Sequence, residues 1–123
     1  MKYLSTDRVE LLGAAAALGD SSKIKELLKE STRDIDSVGP NGATALFRAS
    51  KEGHAKVCRL LLKAGADPNR QNLNSTTPLM VAAQWGRTKV LRHLLLAGAD
   101  PMVVASRLPL KGMSALALAR AAL

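Results

Sequence analysis

The chain has 123 residues and a formal net charge of +8, and 47% of its residues are hydrophobic while only 2% are aromatic. This length allows one domain with a modest core, and Leu, Ala and Val must fill that core, which favours closely packed helices over stacked sheets. No apolar run reaches the roughly 20 residues that a transmembrane helix needs. The single cysteine excludes an intrachain disulfide framework. Together with the lack of an export signal, it favours an intracellular, cytoplasmic location.

The charge is distributed unevenly. Residues 1–36 contain 6 Lys/Arg and 7 Asp/Glu, a net charge of −1, whereas residues 37–123 contain 12 Lys/Arg and 3 Asp/Glu, a net charge of +9. This excess of positive charge predicts a partner with an acidic or mixed surface, and nucleic acid or an anionic membrane is the alternative. An ordinary solvated helix surface would explain the same excess without any partner.

The first predicted unit covers residues 7–41. Asp7 and Glu10, three residues apart, form a capping pattern that predicts a helix beginning at Asp7. Leu and Ala residues at helical spacing continue this helix. A second helix with one apolar face begins at Ser21 or Ser22, and a polar, turn-rich connection ends the unit.

The next two units are copies of each other. Fourteen of the 33 residues in 42–74 are identical to the residue 33 positions later. A fixed period of this length predicts a solenoid, in which each unit buries its apolar face against its neighbours. In both copies a Thr caps a first helix and a Gly-Ala-Asp-Pro turn stops the second. Thr77-Pro78 is the clearest of these signals, because Pro is favoured at the first helical position.

The C-terminal part departs from the period. The next copy of the turn arrives four residues late, so the third unit is placed at residues 75–111 and a partial unit at residues 112–123. The extra residues predict an enlarged loop at 107–111. We expect one domain, residues 1–123, and the apolar last helix favours a piece of a longer protein because no partner helix follows it.

The Thr77–Ala83 run, the Gly53-His54 pair and both Gly-Ala-Asp-Pro turns resemble the ankyrin repeat. This resemblance implies an all-α solenoid of stacked helix-turn-helix units with short hairpin loops. It also implies a non-enzymatic protein–protein interaction module, acting as an adaptor, scaffold or inhibitor. Phe47 and Met80 stand where the family usually has a His, so that side-chain cap is lost in both units.

The sequence predicts no catalytic residue. Helical phase places Cys58 on the buried side of its helix, where a thiol is usually inert. The resemblance implies that His54 is structural and links two helices, and we expect His93 to be a partly buried, hydrogen-bonded side chain. There is no zinc-ligand spacing and no phosphate-binding glycine loop. We therefore expect no cofactor, no metal and no small-molecule substrate.

The resemblance implies a concave binding surface made of hairpin tips and the exposed ends of the first helices. The implied positions are residues 38–41 with Ala43, 71–74 with Thr76, and 104–111 at the tips, and 17–18, 51–52 and 84–85 on the helices. Within this surface, the predicted contacts with a partner protein are Trp85, Gln84, Lys51, Leu73, Asn74 and Arg107. Trp85 is the first choice among these contacts because exposed Trp residues often anchor interfaces. The alternative is that its ring lies flat over a neighbouring helix as part of the core.

A second hypothesis places the function on the second helices. Their basic residues recur at helical spacing and would align into a ridge on the outer side of the solenoid. Such a ridge could bind a polyanion, either nucleic acid or an anionic membrane, through Lys56, Arg59, Lys63, Lys89 and Arg92. The chain has few aromatic residues for base stacking and no standard nucleic-acid motif. A third possibility is a targeting domain of a larger protein.

Overall fold

The computed structural model describes the backbone of residues 5–101 and the side chains of residues 8–101. In this part of the chain there are six α-helices and no strand. The helices are α1 (Ser5–Leu18), α2 (Ser21–Glu30), α3 (Ala45–Glu52), α4 (Ala55–Lys63), α5 (Pro78–Gln84) and α6 (Thr88–Leu96), with a short 3-10 turn at Pro40–Gly42. The all-α class is confirmed. The predicted loop at 107–111 and the partial unit at 112–123 lie outside the described residues.

The helices form two layers. Within each unit α1 packs on α2, α3 on α4, and α5 on α6. Across units, the first helices stack in the order α1, α3, α5 and the second helices in the order α2, α4, α6. One continuous core runs between the layers, and its largest fully buried aliphatic side chains are Ile24, Leu27, Leu46, Leu61, Leu79 and Leu94. Aliphatic side chains therefore dominate the core, as the composition predicted.

Local capping determines where the helices begin and end. The side-chain oxygens of Thr44 and Thr77 accept hydrogen bonds from the third backbone N–H that follows each of them, at 3.1 and 3.2 Å. Gly53 ends α3 in the left-handed conformation, with φ of 79°. The predicted start at Asp7 is wrong, because α1 already begins at Ser5. No Gly or Pro precedes Asp7 to stop the helix from extending by these two residues.

Arg8 closes the first unit. Its guanidinium is buried and donates hydrogen bonds to Asp34 Oδ1 at 3.0 Å, to the Leu27 carbonyl at 2.7 Å and to the Ser31 carbonyl. A Glu30 carboxylate oxygen lies 3.5 Å from Nη1. A cation at these carbonyls satisfies the free acceptors at the end of α2 and interacts favourably with the helix dipole. The capping pattern at residues 7–10 did not predict this contact.

Neighbouring units are also tied at their turns. The backbone N–H of Asp67 donates to Asp36 Oδ1 at 2.9 Å, and the backbone N–H of Asp100 donates to Asn69 Oδ1 at 2.7 Å. Asp36 and Asn69 are 33 residues apart, as are the two donors. The same hydrogen bond therefore repeats at both interfaces between units and fixes their relative positions at this edge.

Candidate binding surface

The exposed ends of the first helices form one row of side chains. Leu18, the last residue of α1, is 79% exposed, and Trp85, which follows α5, is 53% exposed. Lys51 and Glu52 at the end of α3 are exposed, as is Gln84 at the end of α5. Because α1, α3 and α5 stack in that order, these residues follow one another across the three units. Half of the Trp85 surface is open to solvent, so this residue does not belong to the core.

Two side chains from the following units hold this row in place. A ring nitrogen of His54, Nε2, lies 2.9 Å from the carbonyl oxygen of Ala17, and Arg87 Nε donates to the carbonyl oxygen of Lys51 at 3.0 Å. His54 and Arg87 occupy the same position in units 2 and 3. The expected structural role of His54 is therefore present, but the hydrogen bond joins two units and not the two helices of its own unit. Each bond anchors the end of the preceding first helix.

The hairpin tips lie beside this row. We call residues 38–43 the first tip and residues 71–76 the second tip. Backbone hydrogen bonds close each tip, from Gly39 N–H to the Ala43 carbonyl at 2.9 Å and from Asn72 N–H to the Thr76 carbonyl at 3.0 Å. A further bond, from Leu73 N–H to the Asn41 carbonyl at 3.1 Å, joins the two tips. The tips therefore form a connected edge.

The predicted tip contacts differ in exposure. The Leu73 side chain is 68% exposed, so it is available to a partner. Asn74 is half-buried, and its backbone N–H donates to Asn72 Oδ1 at 2.9 Å. Arg107 and the predicted tip at 104–111 lie outside the described residues.

Two clefts beside Arg48 lie between the first tip and the helices, and a larger cleft of about 740 Å³ adjoins them between α1, the first tip and Arg70. One, of about 230 Å³, lies between the N-terminal half of α1 and the first tip. The other, of about 280 Å³, lies between the first tip and the ends of α1 and α3. Arg48 lines both clefts. Leu18 holds the same position in its unit as Trp85 does in unit 3. The family resemblance placed Leu18 on the implied surface, but neither Leu18 nor Arg48 was among the six predicted contacts.

The groups that suggested chemistry are inert or isolated. Cys58 is fully buried with Sγ 3.6 Å from Ser50 Oγ, and burial raises the pKa of its thiol from 9.0 to about 11. The thiol is therefore neutral at physiological pH and is a poor nucleophile. His93 is half-buried between α4 and α6, and the expected hydrogen bond to its ring is not formed within the described region. Within residues 8–101 there is no group of three or more His, Cys, Asp or Glu side chains that could hold a metal ion.

The basic residues of the second helices lie on the opposite layer. Those predicted to bind a polyanion are all exposed, with Lys56, Arg59 and Lys63 on α4 and Lys89 and Arg92 on α6. Because α4 and α6 are in contact, these cations lie on neighbouring helices, and we call them the basic ridge. The ridge ends in an apolar residue, because Leu96, which is 81% exposed, occupies the position of Lys63 in the next unit.

Of the helices in residues 5–101, none has both the length and the apolar character required to cross a membrane.

Comparison with known families agrees with this architecture. A family model described as "Ankyrin repeats (3 copies)" matches residues 11–105, more than three quarters of the chain. A search of curated protein sequences found no match. Ankyrin repeats generally bind other proteins and are typically non-enzymatic. The matched span, its three copies and the two-layer stack of helix pairs show that the chain belongs to the ankyrin repeat family.

Proposed function

We propose that this chain is an adaptor, scaffold or inhibitor module that grips one partner protein through its first-helix row and hairpin tips. The observation that carries the proposal is the exposure of two large apolar side chains, Leu18 at 79% and Trp85 at 53%, at equivalent ends of α1 and α5. Trp is strongly enriched among the residues that dominate interface energies, whereas Leu is not, so Trp85 is the stronger of the two contacts.

The row is also ordered before a partner arrives. The bonds from His54 and Arg87 fix the ends of α1 and α3, and the bond between Leu73 and Asn41 fixes the tips. Binding therefore loses less backbone entropy than a flexible surface would lose. Lys51 and Glu52 lie between the two apolar anchors and carry opposite charges, which suits a partner of mixed or acidic surface.

The test compares Trp85→Ala with the parent chain. We expect Trp85→Ala to weaken binding by about 30-fold or more, the effect of losing a central anchor. The melting temperature should change little, because much of the ring is already exposed to solvent. The probe is the protein captured by the immobilised parent chain from an extract of its own cells, then purified and measured by calorimetry. Arg59→Ala, on the opposite layer, is the control and should bind as the parent does. Equal binding by Trp85→Ala and parent would remove Trp85 from the interface.

The exposed basic ridge supports a second candidate, binding to a polyanion. Its five cations lie on two helices in contact and could neutralise several phosphates. If this were the function, affinity for an unrelated DNA duplex would fall with a log–log salt slope of roughly −4. Substituting Lys56, Arg59 and Lys89 with Gln would abolish that binding, whereas Trp85→Ala would not. A flat salt response, with saturable binding to the captured protein, would exclude this candidate.

A further inference from the structure

Arg48 is a half-buried cation without a partner. It forms no hydrogen bond or ion pair with any of the residues that the structure describes. Its guanidinium lies over the backbone of α1 at Gly13, where an added Cβ would be 2.7 Å from Nη1. A partly desolvated charge is usually compensated by an anion or by hydrogen bonds. Arg48 therefore has an unused capacity to bind an anion.

The two clefts beside Arg48 are sized for side chains. Their volumes are about 230 and 280 Å³, which is enough for individual side chains. The cleft over Gly13 has apolar walls from Leu12, Ala43 and Ala45. Each cleft can hold one or two side chains of a peptide, and this cleft suits an aliphatic one.

The surrounding charges favour a single negative charge on the ligand. Glu10 lines one cleft and Glu52 lines the other, and both side chains are exposed. Neither carboxylate lies within 4.0 Å of the Arg48 guanidinium. A carboxylate can form two parallel hydrogen bonds with an arginine. A doubly charged phosphate costs much more free energy to desolvate, and Arg48 supplies only one positive charge to offset that cost.

We propose that the clefts beside Arg48 bind a partner segment in which an aliphatic residue adjoins an Asp or Glu. The aliphatic side chain fills the cleft over Gly13, and the neighbouring carboxylate pairs with the guanidinium of Arg48. This inference rests on the proposed function, because it names the chemistry of the segment that the same surface recognises.

The experiment uses three blocked tetrapeptides at millimolar concentration, acetyl-Ala-Leu-Glu-Ala-amide and its analogues with Gln or phosphoserine in place of Glu. Binding is followed by two-dimensional NMR of the backbone amides and of Arg48 Nε–H. We expect the Glu peptide to shift the signals of Gly13, Ala43 and Arg48, and to bind at least fivefold more tightly than either analogue. Arg48→Gln should abolish that preference, and Arg48→Lys, which retains only the charge, should reduce it. Lys25→Gln, at an exposed cation of α2 outside both proposed surfaces, is the control and should leave it unchanged.

Three results would overturn the inference. The Glu and Gln peptides could bind equally, the phosphoserine peptide could bind best, or Arg48→Gln could retain the preference. Within the part of the chain that the structure describes, Arg48 makes no hydrogen bond or ion pair. Its variants are therefore expected to fold, and their melting curves check this. The same experiment tests the proposed function separately. If the peptides shifted the signals of Leu18, Lys51 and Trp85 in a way that does not depend on Arg48, this inference would be rejected. The first-helix row would then remain the proposed binding surface. Shifts confined to α4 and α6 would count against both.

Discussion

The two interfaces between units use the same positions with different side chains. At the second interface, between units 2 and 3, Phe47 and Val81 pack with Ala43 in a small buried cluster. At the first interface, between units 1 and 2, the equivalent positions hold Gly13 and Arg48. In both cases a large residue on one helix faces a smaller one on the next helix. At the second interface the large residue is Phe47, on the earlier helix. At the first interface it is Arg48, on the later helix, and it carries a charge.

This difference explains why the clefts occur where they do. The aromatic ring of Phe47 fills space at the second interface and is only 8% exposed. Gly13 has no side chain to fill the corresponding space, and Arg48 covers it incompletely. The second interface is therefore a packed apolar contact, whereas the first retains open volume and an unpaired charge. The proposed recognition site and the best-packed apolar contact therefore lie at different interfaces of one repeat architecture.

The largest predicted effect tests this division directly. Phe47→Ala should lower the free energy of unfolding by about 3 kcal/mol, because it removes a buried ring and leaves a cavity. Arg48→Ala should cost less than about 1 kcal/mol, because it breaks no hydrogen bond. Urea unfolding followed by circular dichroism measures both. If the two variants lost equal stability, Arg48 would be as much a packing residue as Phe47.

The repeat architecture could be predicted from the sequence because its signals are local. The caps at Thr44 and Thr77 and the left-handed turn at Gly53 each involve residues within a few positions of one another. Arg8 could not be predicted in this way. Its acceptors are 19 to 26 residues away, and only the packing of α1 on α2 brings them together.

Three glycines provide a second and smaller test. Gly19, Gly53 and Gly86 have nearly the same φ, at 74°, 79° and 69°, but different neighbours. A Cβ at Gly19 would meet the His54 ring at 2.5 Å, a Cβ at Gly53 would meet the flexible Arg87 side chain at 2.8 Å, and a Cβ at Gly86 would meet nothing within 4 Å. Substitution by Ala should cost roughly 2–3, 1–2 and 1 kcal/mol respectively, because only the first also displaces a fixed ring.

The Gly86→Ala variant is the matched control for this series, since it measures the cost of the left-handed backbone alone. Chemical denaturation of all three variants gives the two steric costs by subtraction. Equal losses at all three positions would show that His54 and Arg87 do not hold their interfaces as the hydrogen bonds indicate. A larger loss of stability for Gly53→Ala than for Gly19→Ala would show that Arg87 at the second interface is held more rigidly than His54 at the first.

The binding surface was only partly predictable. The positions of Lys51, Gln84 and Trp85 followed from the family resemblance, and exposure agrees with it. The same resemblance placed Leu18 on this surface, but Leu18 was not chosen as a contact, because it continues the apolar spacing of α1 and yet lies exposed at the helix end. The sequence alone does not show that Arg48 lies at a site. That becomes clear only when Arg48 is compared with Val81, its equivalent in the next unit, and when the structure shows that Gly13 lies opposite Arg48.

Cys58 gives a pH-dependent difference between units 2 and 3. Unit 3 has Leu91 at the position of Cys58 and Ala83 at the position of Ser50, so of these two units only unit 2 buries a titratable thiol. Burial raises the pKa of Cys58 from 9.0 to about 11, and the unfolded chain therefore releases this proton first. Stability should be unaffected below pH 9 and should fall between pH 9 and about 11, by up to about 1.4 kcal/mol per pH unit.

Urea titrations from pH 8 to pH 11 measure this slope, and Cys58→Ala subtracts the contributions of lysine and tyrosine. The variant should lose less stability over that range than the parent. Identical slopes would show that the thiol is not desolvated in the folded state. A reagent that alkylates thiols should, for the same reason, modify the parent at a rate limited by unfolding.

The smallest predicted effect concerns the tips and has the opposite sign. Ser75 adopts a left-handed conformation with φ of 60°, and the equivalent residue of the first tip is Gly42, with φ of 70°. Ser75→Gly should stabilise the fold by about 0.5 kcal/mol, because relief of backbone strain slightly exceeds the entropy that a glycine loses on folding. Gly42→Ala should destabilise it by more than this gain, since its Cβ would also lie 2.9 Å from Leu73 Cγ. Thermal and urea unfolding of both variants measure the pair. A loss of stability in Ser75→Gly would mean that the hydrogen bonds from Asn74 and Thr76 N–H to Asn72 Oδ1 hold the second tip only when residue 75 carries a side chain.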